Sequence, residues 1–465
     1  MKIVMLASEM APVASSGAMG EAVTRLAAGL RAAGHEVVVI LPLYRSVRED
    51  LRIKRTRQKF SVPVGSASMA CELFSATAPC GTPLILVGRD EFFDRSGLYG
   101  NESGDYQDNA ARFIFFVKAA LQAVRKMPGP PDVVHAHGWQ SALAGVFHRE
   151  ESCGAPVVLT PHGLEFQGNF WSYDFALTNL PGRYFSASGL EFYGSMNFLK
   201  AGLLFSDAVV LPDERFAALA ATPAEGCGLE SVFREIAGRV WGIPNGSATD
   251  GWNPAEDPSL ASPFDADTLV RRPANRTALA ERFGFEKECP VFAISAAMCT
   301  GTGALFPAMD RLVPSGACFV MLGDAEETRR MEFEIAKRHH AGGFAAITEP
   351  TEADARAVLA GSDFLLIPSP VRFAQPWLLR ALRYGVIPVA RRCPGLAQFV
   401  CENTSGFLFG NDSAEALLGG CRKALQTCTD PATREARIRA CMTISSPDPA
   451  AAHEELYASL TTPRA

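Results

Sequence analysis

Residues able to do chemistry are few in this chain, and their spacing matters as much as their type. Between the first apolar run and the first helical stretch lies Ser15-Ser16-Gly17-Ala18-Met19-Gly20, where Gly17 and Gly20 can make a tight turn that lets backbone amides approach a phosphate. A lone G-x-x-G at a strand-to-helix junction serves a purely structural turn equally well. His137, in His135-Ala136-His137-Gly138-Trp139, and His162, in Thr160-Pro161-His162-Gly163, stand beside strand ends, where an imidazole is more often a hydrogen-bonded structural group than a catalyst. Asp105 and Asp108 read as caps of a helix that begins near Ala110. Charge is missing from three windows: no Lys or Arg lies between Lys2 and Arg25 or between Lys287 and Arg311, and no Asp or Glu between Asp363 and Glu402.

The elements that must carry these residues follow from hydrophobic periodicity. Residues 2–7 form an apolar run, a helix is predicted over about Glu21 to Ala33, and Val37-Val38-Val39-Ile40-Leu41 is a second run, so the chain opens as a βαβ unit. Buried-strand signatures recur at Leu84–Val87, Val133-Val134, Val157–Leu159 and Asp207–Leu211, as in a doubly wound parallel sheet. After a Pro-, Gly- and Asn-rich interval a second series begins, at Val291–Ser295, Cys318–Leu322, Ala345–Ile347, Phe364–Ile367 and Ile387–Ala390. The expected organisation is α/β: a Rossmann-like domain over 1–250, a linker over 251–274, a second Rossmann-like domain over 275–440, and a helical tail over 441–465 packing back on the first domain.

Bulk properties agree. At 465 residues the chain exceeds the roughly 250–300 residues that one hydrophobic core serves. A net charge of -6 with no Lys/Arg-rich stretch speaks against nucleic acid as a partner. No apolar run approaches the roughly 18 residues of a membrane helix, so a cytoplasmic protein is expected. The 12 Cys are scattered without a C-x-x-C pair, which favours reduced thiols over a disulfide framework or a zinc site.

Several segments, taken in order, resemble the bacterial glycogen synthases and plant starch synthases. They include Ala7-Ser8-Glu9-Met10-Ala11-Pro12, Gly97-Leu98-Tyr99-Gly100, Asp132 through Trp139, Phe192-Tyr193-Gly194, Asn197 through Gly202, Gly242-Ile243-Pro244-Asn245-Gly246 and Trp252-Asn253-Pro254. The second half carries the resemblance more thinly, in Leu322-Gly323-Asp324, Pro368-Ser369 and Tyr384-Gly385. The resemblance implies a GT-B architecture, with two Rossmann-like domains facing a cleft. It also implies transfer of glucose from ADP-glucose or UDP-glucose to the non-reducing end of an α-1,4-glucan, with retention and without a metal or other cofactor. On it, His162 matches the active-site His; His137, Trp139, Asn197, Lys200 and Asn245 match sugar and acceptor positions; Gly17, Gly20 and Gly303 line the phosphate region.

The same resemblance exposes what is gone. Ser15 stands where the family carries the Lys of Lys-x-Gly-Gly, and Ala297 and Thr302 stand where it carries the Arg and Lys that flank the diphosphate. Arg372 replaces the Glu after the Pro-Ser, Pro350 a Tyr, Gly138 an Asp and Gly163 an Asn. A departing diphosphate must be stabilised by fixed cations and amides, and removing one such donor typically costs on the order of 10²–10³ in rate. The expectation is therefore a retaining hexosyltransferase by family with impaired or lost standard activity, its partner a glycogen or maltooligosaccharide chain and not ADP-glucose or UDP-glucose. The alternatives are an active enzyme with a remodelled donor site, in which Arg372, Arg391 and Arg392 substitute as cations, or a non-catalytic glucan-binding regulator of a true synthase.

Overall fold

Runs of aliphatic and β-branched residues, buried on both faces, form the strands of two separate parallel sheets. The computed structural model describes residues 1–151, 154–223, 225–244, 251–299, 303–323, 327–369, 374–397, 399–402, 404–411, 413–444 and 448–462. The chain divides into two units, Met1–Gly246 with Pro447–Ala465, and Ser247–Ser446.

In the first unit the strands are β1 (Lys2–Leu6), β2 (Glu36–Pro42), β3 (Lys54–Val64), β4 (Ala67–Thr77), β5 (Pro83–Gly88), β6 (Val133–His137), β7 (Val157–Thr160), β8 (Ala208–Leu211) and β9 (Val240–Gly242). They form one sheet in the order β9-β8-β7-β6-β1-β2-β5-β4-β3, parallel from β9 to β5. The hairpin β3–β4 adds antiparallel to the edge and was not anticipated from sequence. Its outer strand alternates Lys54, Arg55, Arg57 and Lys59 with smaller groups, a charged pattern that protects a sheet edge from pairing with other chains.

Helix α1 (Ala18–Ala32) starts three residues before the expected Glu21 and buries Ala22, Val23, Leu26, Ala27 and Leu30, one face of a 3.6-residue repeat. Helix α2 (Asn109–Arg125) is buried along most of its length. Its Arg112 guanidinium, fully buried, donates to the carbonyls of Phe92 (2.8 Å) and Leu98 (3.0 Å) and to Asn109 Oδ1 (2.6 Å), tying the preceding loop down. Asp108 precedes α2 but does not cap it: its carboxylate accepts two hydrogen bonds from Arg95, at 2.6 and 2.7 Å. Asp105 lies in a two-residue strand, Gly104–Asp105. The capping expectation for both is thus corrected; an arginine fork outcompetes backbone amides for the Asp108 carboxylate. The C-terminal helix Pro449–Thr461, capped by Asp448 with Pro at its first position, belongs to this first unit and lies along α1.

The second unit holds β10 (Val291–Ser295), β11 (Cys318–Leu322), β12 (Phe344–Ile347), β13 (Phe364–Ile367), β14 (Ile387–Arg391) and β15 (Phe407–Phe409), all parallel, in the order β12-β11-β10-β13-β14-β15. Phe319, Phe292 and Phe364 stack across three adjacent strands at 5.1 and 4.8 Å between centroids. Cys289 and Cys318 form a disulfide, their Cα atoms 6.1 Å apart at the start of neighbouring strands, so not every cysteine is the thiol expected. Among the described residues Cys71, Cys80, Cys421, Cys428 and Cys441 are free thiols. No helix of the described residues is long and apolar enough to cross a membrane.

Asp363, at the entry to β13 and 2% exposed at its side chain, is bound by Arg276 and Arg434 and accepts from the Val291 amide at 2.8 Å. Burial alone would raise its pKa, but Arg434, Arg276 and Arg272 outweigh it and hold the carboxyl below its ordinary value. Removing the acid strands the buried Arg272 and the partly buried Arg276 and Arg434 without their shared counter-charge. Asp363→Ala is expected to lower stability by about 3–5 kcal/mol in urea unfolding; a loss below about 1 kcal/mol would contradict this role.

Candidate functional site

In a parallel sheet the crevice lies at the carboxyl ends where strand order reverses, and in the first unit that point falls between β1 and β6. The loop leaving β1 is closed by Glu9, 3% exposed. One of its oxygens accepts from the Ser16 amide (2.7 Å), the other from Ser16 Oγ (2.8 Å) and the Tyr99 hydroxyl (2.6 Å). Ser15 Oγ donates back to the Gly17 carbonyl at 3.1 Å. Gly17 heads α1 with open space around the position a Cβ would take, whereas at Gly20 a Cβ would meet Ser15 Oγ at 2.5 Å. Glu21, in the first turn of α1, is paired with Arg25 at 3.5 Å.

Across the crevice stands a column of imidazoles. His135 and His137 are two residues apart on β6 and share one face of the sheet, rings 4.0 Å apart. His137 Nδ1 lies 3.0 Å from His162 Nε2, with the two rings stacked at 5.3 Å. His453, from the C-terminal helix, lies 5.4 Å from His135, ring to ring. His135 itself is satisfied by Tyr457 Oη and Thr160 Oγ1, both at 2.7 Å. His162 sits just past β7 with φ +64, a left-handed backbone unusual for a side chain that lacks the freedom of glycine.

Burial sets the charge of this column. It pushes His162 down to about 3, helped by His453 and Arg25, and His453 to about 4 against the opposing pull of the Pro449 carbonyl. His135 and His137 are driven well below their ordinary value, first by burial and then by neighbouring imidazoles. All four are neutral at pH 7. Three of their nitrogens, His137 Nε2, His162 Nδ1 and His453 Nε2, are shut off from solvent and have no hydrogen-bond partner. Whichever ring donates between His137 and His162, that pair is left with one bare N–H and one bare lone pair.

The other anticipated residues are placed as follows. Trp139 is half-buried and packs among Tyr99, Phe113, Phe170 and Phe198, at centroid distances from 5.1 to 6.4 Å. Asn197 is fully buried: it caps helix α3 (Phe198–Phe205) by accepting from the Lys200 amide (2.7 Å) and donates to Gln167 and Asn169 (2.8 Å each). Lys200 Nζ donates to the Ala187 (2.6 Å) and Glu191 (2.5 Å) carbonyls. Both therefore spend their polar groups inside the fold. Gly138 adopts φ +71, and a Cβ there would come within 2.5 Å of Gln140 Oε1 and 2.8 Å of Met19 Sδ. Asn245 and Arg372 lie outside the described residues.

In the second unit the strand order reverses between β10 and β13. The turn after β10, Ala296–Met298, is packed inward: Ala296, Met298 and Cys299 are 2%, 1% and 9% exposed. Gly303 is exposed with nothing nearby. Arg392 is paired with Glu402 at 2.6 Å. Sequence reasoning singled out His137 and His162 but passed over Glu9, His135, His453 and Tyr457. The His-x-His alternation could have flagged His135; nothing local could have flagged His453.

Comparison with known proteins bears on the whole chain. The family model described as the starch synthase catalytic domain matches residues 2–235. Glycogen synthase 2 of Geobacter sulfurreducens is 33% identical over 442 residues, 91% of each chain. A glycogen synthase of Opitutus terrae is 34% identical over 86% of each. Among solved structures, the catalytic domain of starch synthase IV from Arabidopsis thaliana, bound to ADP and acarbose, superposes with a TM-score of 0.88 at 25% identity over 99% of each chain. Sucrose-phosphate synthase from Thermosynechococcus elongatus shares the fold, with a TM-score of 0.64 at 14% identity.

The neutral column makes stability fall with acid. Below about pH 6.5 the unfolded chain takes up protons that the folded imidazoles refuse, so the stability they contribute is complete above pH 6.5 and is lost as pH falls through 4 towards 3. Melting temperature should fall across that window, and His453→Leu, which removes one imidazole without adding charge, should flatten the slope. Parallel slopes for the two proteins would refute the assignment.

Proposed function

The chain belongs to the glycogen and starch synthase family, and from that premise we propose that it recognises α-1,4-glucan in its first unit while lacking standard glucosyl transfer from ADP-glucose. The observation that carries this reading is the contrast between its two crevices. At β1/β6 His137 and His162, the pair that the family resemblance places beside the sugar, are kept together as neutral imidazoles joined at 3.0 Å. At β10/β13 Ala296 and Met298 are buried, and Ala297 and Thr302 stand where the family resemblance places an Arg and a Lys.

Glucosyl transfer with retention needs a nucleotide diphosphate to leave, and its growing charge must meet groups already in place. Ser15, Ala297 and Thr302 supply no cation. Losses of this sort need not add, but three missing cations outweigh any single substitution. The relative bound to ADP and acarbose supports a carbohydrate ligand here. His162 is the residue assigned to the sugar; Asn197 and Lys200 support it by fixing the backbone beyond β7. A reducing compartment such as the cytoplasm is proposed on the free thiols Cys71, Cys80, Cys421, Cys428 and Cys441.

Calorimetric titration with maltooligosaccharide, ADP-glucose and UDP-glucose, followed by a glucose-incorporation assay, tests this. Glucan binding that weakens about tenfold in His162→Ala, with no heat from either sugar nucleotide, is the expected result. Elongation of the glucan from either donor would overturn the proposal and assign the diphosphate to other cations.

A further inference from the structure

At the opposite edge of the second sheet, where its strands begin, two helices bring together three side chains that the glucan reading does not use. Helix α4 (Leu305–Leu312) carries Asp310, and helix α5 (Glu327–His339) ends on His339, followed at once by His340. Both imidazoles aim Nε2 at the same carboxylate oxygen, Asp310 Oδ1, from 3.4 Å (His339) and 3.2 Å (His340). The rings stand 4.6 Å apart at 77° to each other, so they approach that oxygen from different directions. One ligand atom from each of the three residues lies within 4.8 Å of the others.

We propose that Asp310, His339 and His340 form a site for one divalent transition-metal ion of the Zn²⁺ class, joining α4 to the end of α5. Metal–ligand distances of about 2.0–2.2 Å separate the ligands of a tetrahedral ion by roughly 3.4 Å, close to the spacings found. Two imidazole nitrogens and one carboxylate oxygen select zinc, cobalt or nickel over magnesium or calcium, which prefer all-oxygen shells.

Part of the site is held in advance. His340 is 6% exposed and its backbone is fixed on both sides: its amide donates to the Ala336 carbonyl (2.8 Å), and its own carbonyl accepts from Gly343 (2.9 Å) and Phe344 (3.0 Å). His339 and Asp310, 67% and 51% exposed, leave the remaining coordination positions to solvent. That arrangement describes an exchangeable ion bracing two helices, not a closed structural zinc.

The metal-stripped full-length protein should be titrated with Zn²⁺ by calorimetry and with Co²⁺ by visible absorption. One equivalent of each ion is expected, with d–d bands typical of nitrogen and oxygen ligands. His339→Ala and Asp310→Asn, at exposed positions that leave the metal-free melting temperature unchanged, should each weaken binding at least tenfold. Retained wild-type affinity in the double variant would overturn the site. So would thiolate charge-transfer bands in the Co²⁺ spectrum, which would put the ion on cysteines.

Discussion

Right-handed crossovers govern this molecule. A parallel strand can be followed by its neighbour only through a helix that packs back with one hand, so when strand order reverses the two flanking connections leave on opposite faces of the sheet. The loops after β1 and β6, and those after β10 and β13, are forced apart in this way. Each sheet thereby acquires one place where side chains can converge without steric competition. Glu9, His137 and His162 converge at the first; at the second, the connection turns inward on Ala296 and Met298.

Most of the strand set was legible because strands buried on both faces read as unbroken apolar runs, as in Val37–Leu41 or Phe364–Ile367. The β3–β4 hairpin was not, since the first half of β3 is a polar run of Lys, Arg, Thr and Gln and β4 mixes Ser, Glu and Thr with its apolar residues, which mimics a solvated loop. At the site, motif resemblance pointed to His137 and His162, yet the imidazole column was hidden in part. Tyr457 reaches His135 across 322 residues of sequence, a contact that no local pattern encodes. Asp108 misled for the opposite reason: its local pattern was right for a cap, and a nearby arginine took it.

Replacement of polar groups has been absorbed into packing. With glycine at 138, the Met19 thioether occupies the space a side chain would fill. Position 138 resists simple reversal, because a side chain there would displace groups that now fill the space.

The C-terminal helix gives the fold a temporal order. Residues 247–446 are, in effect, inserted into the first unit, whose helix Pro449–Thr461 is made after them. During synthesis the strands of the nine-stranded sheet all emerge while His135 lacks Tyr457 and His453, and the second unit can close its own core first. The His135 ring therefore gains its last partners only after a whole second sheet has been made.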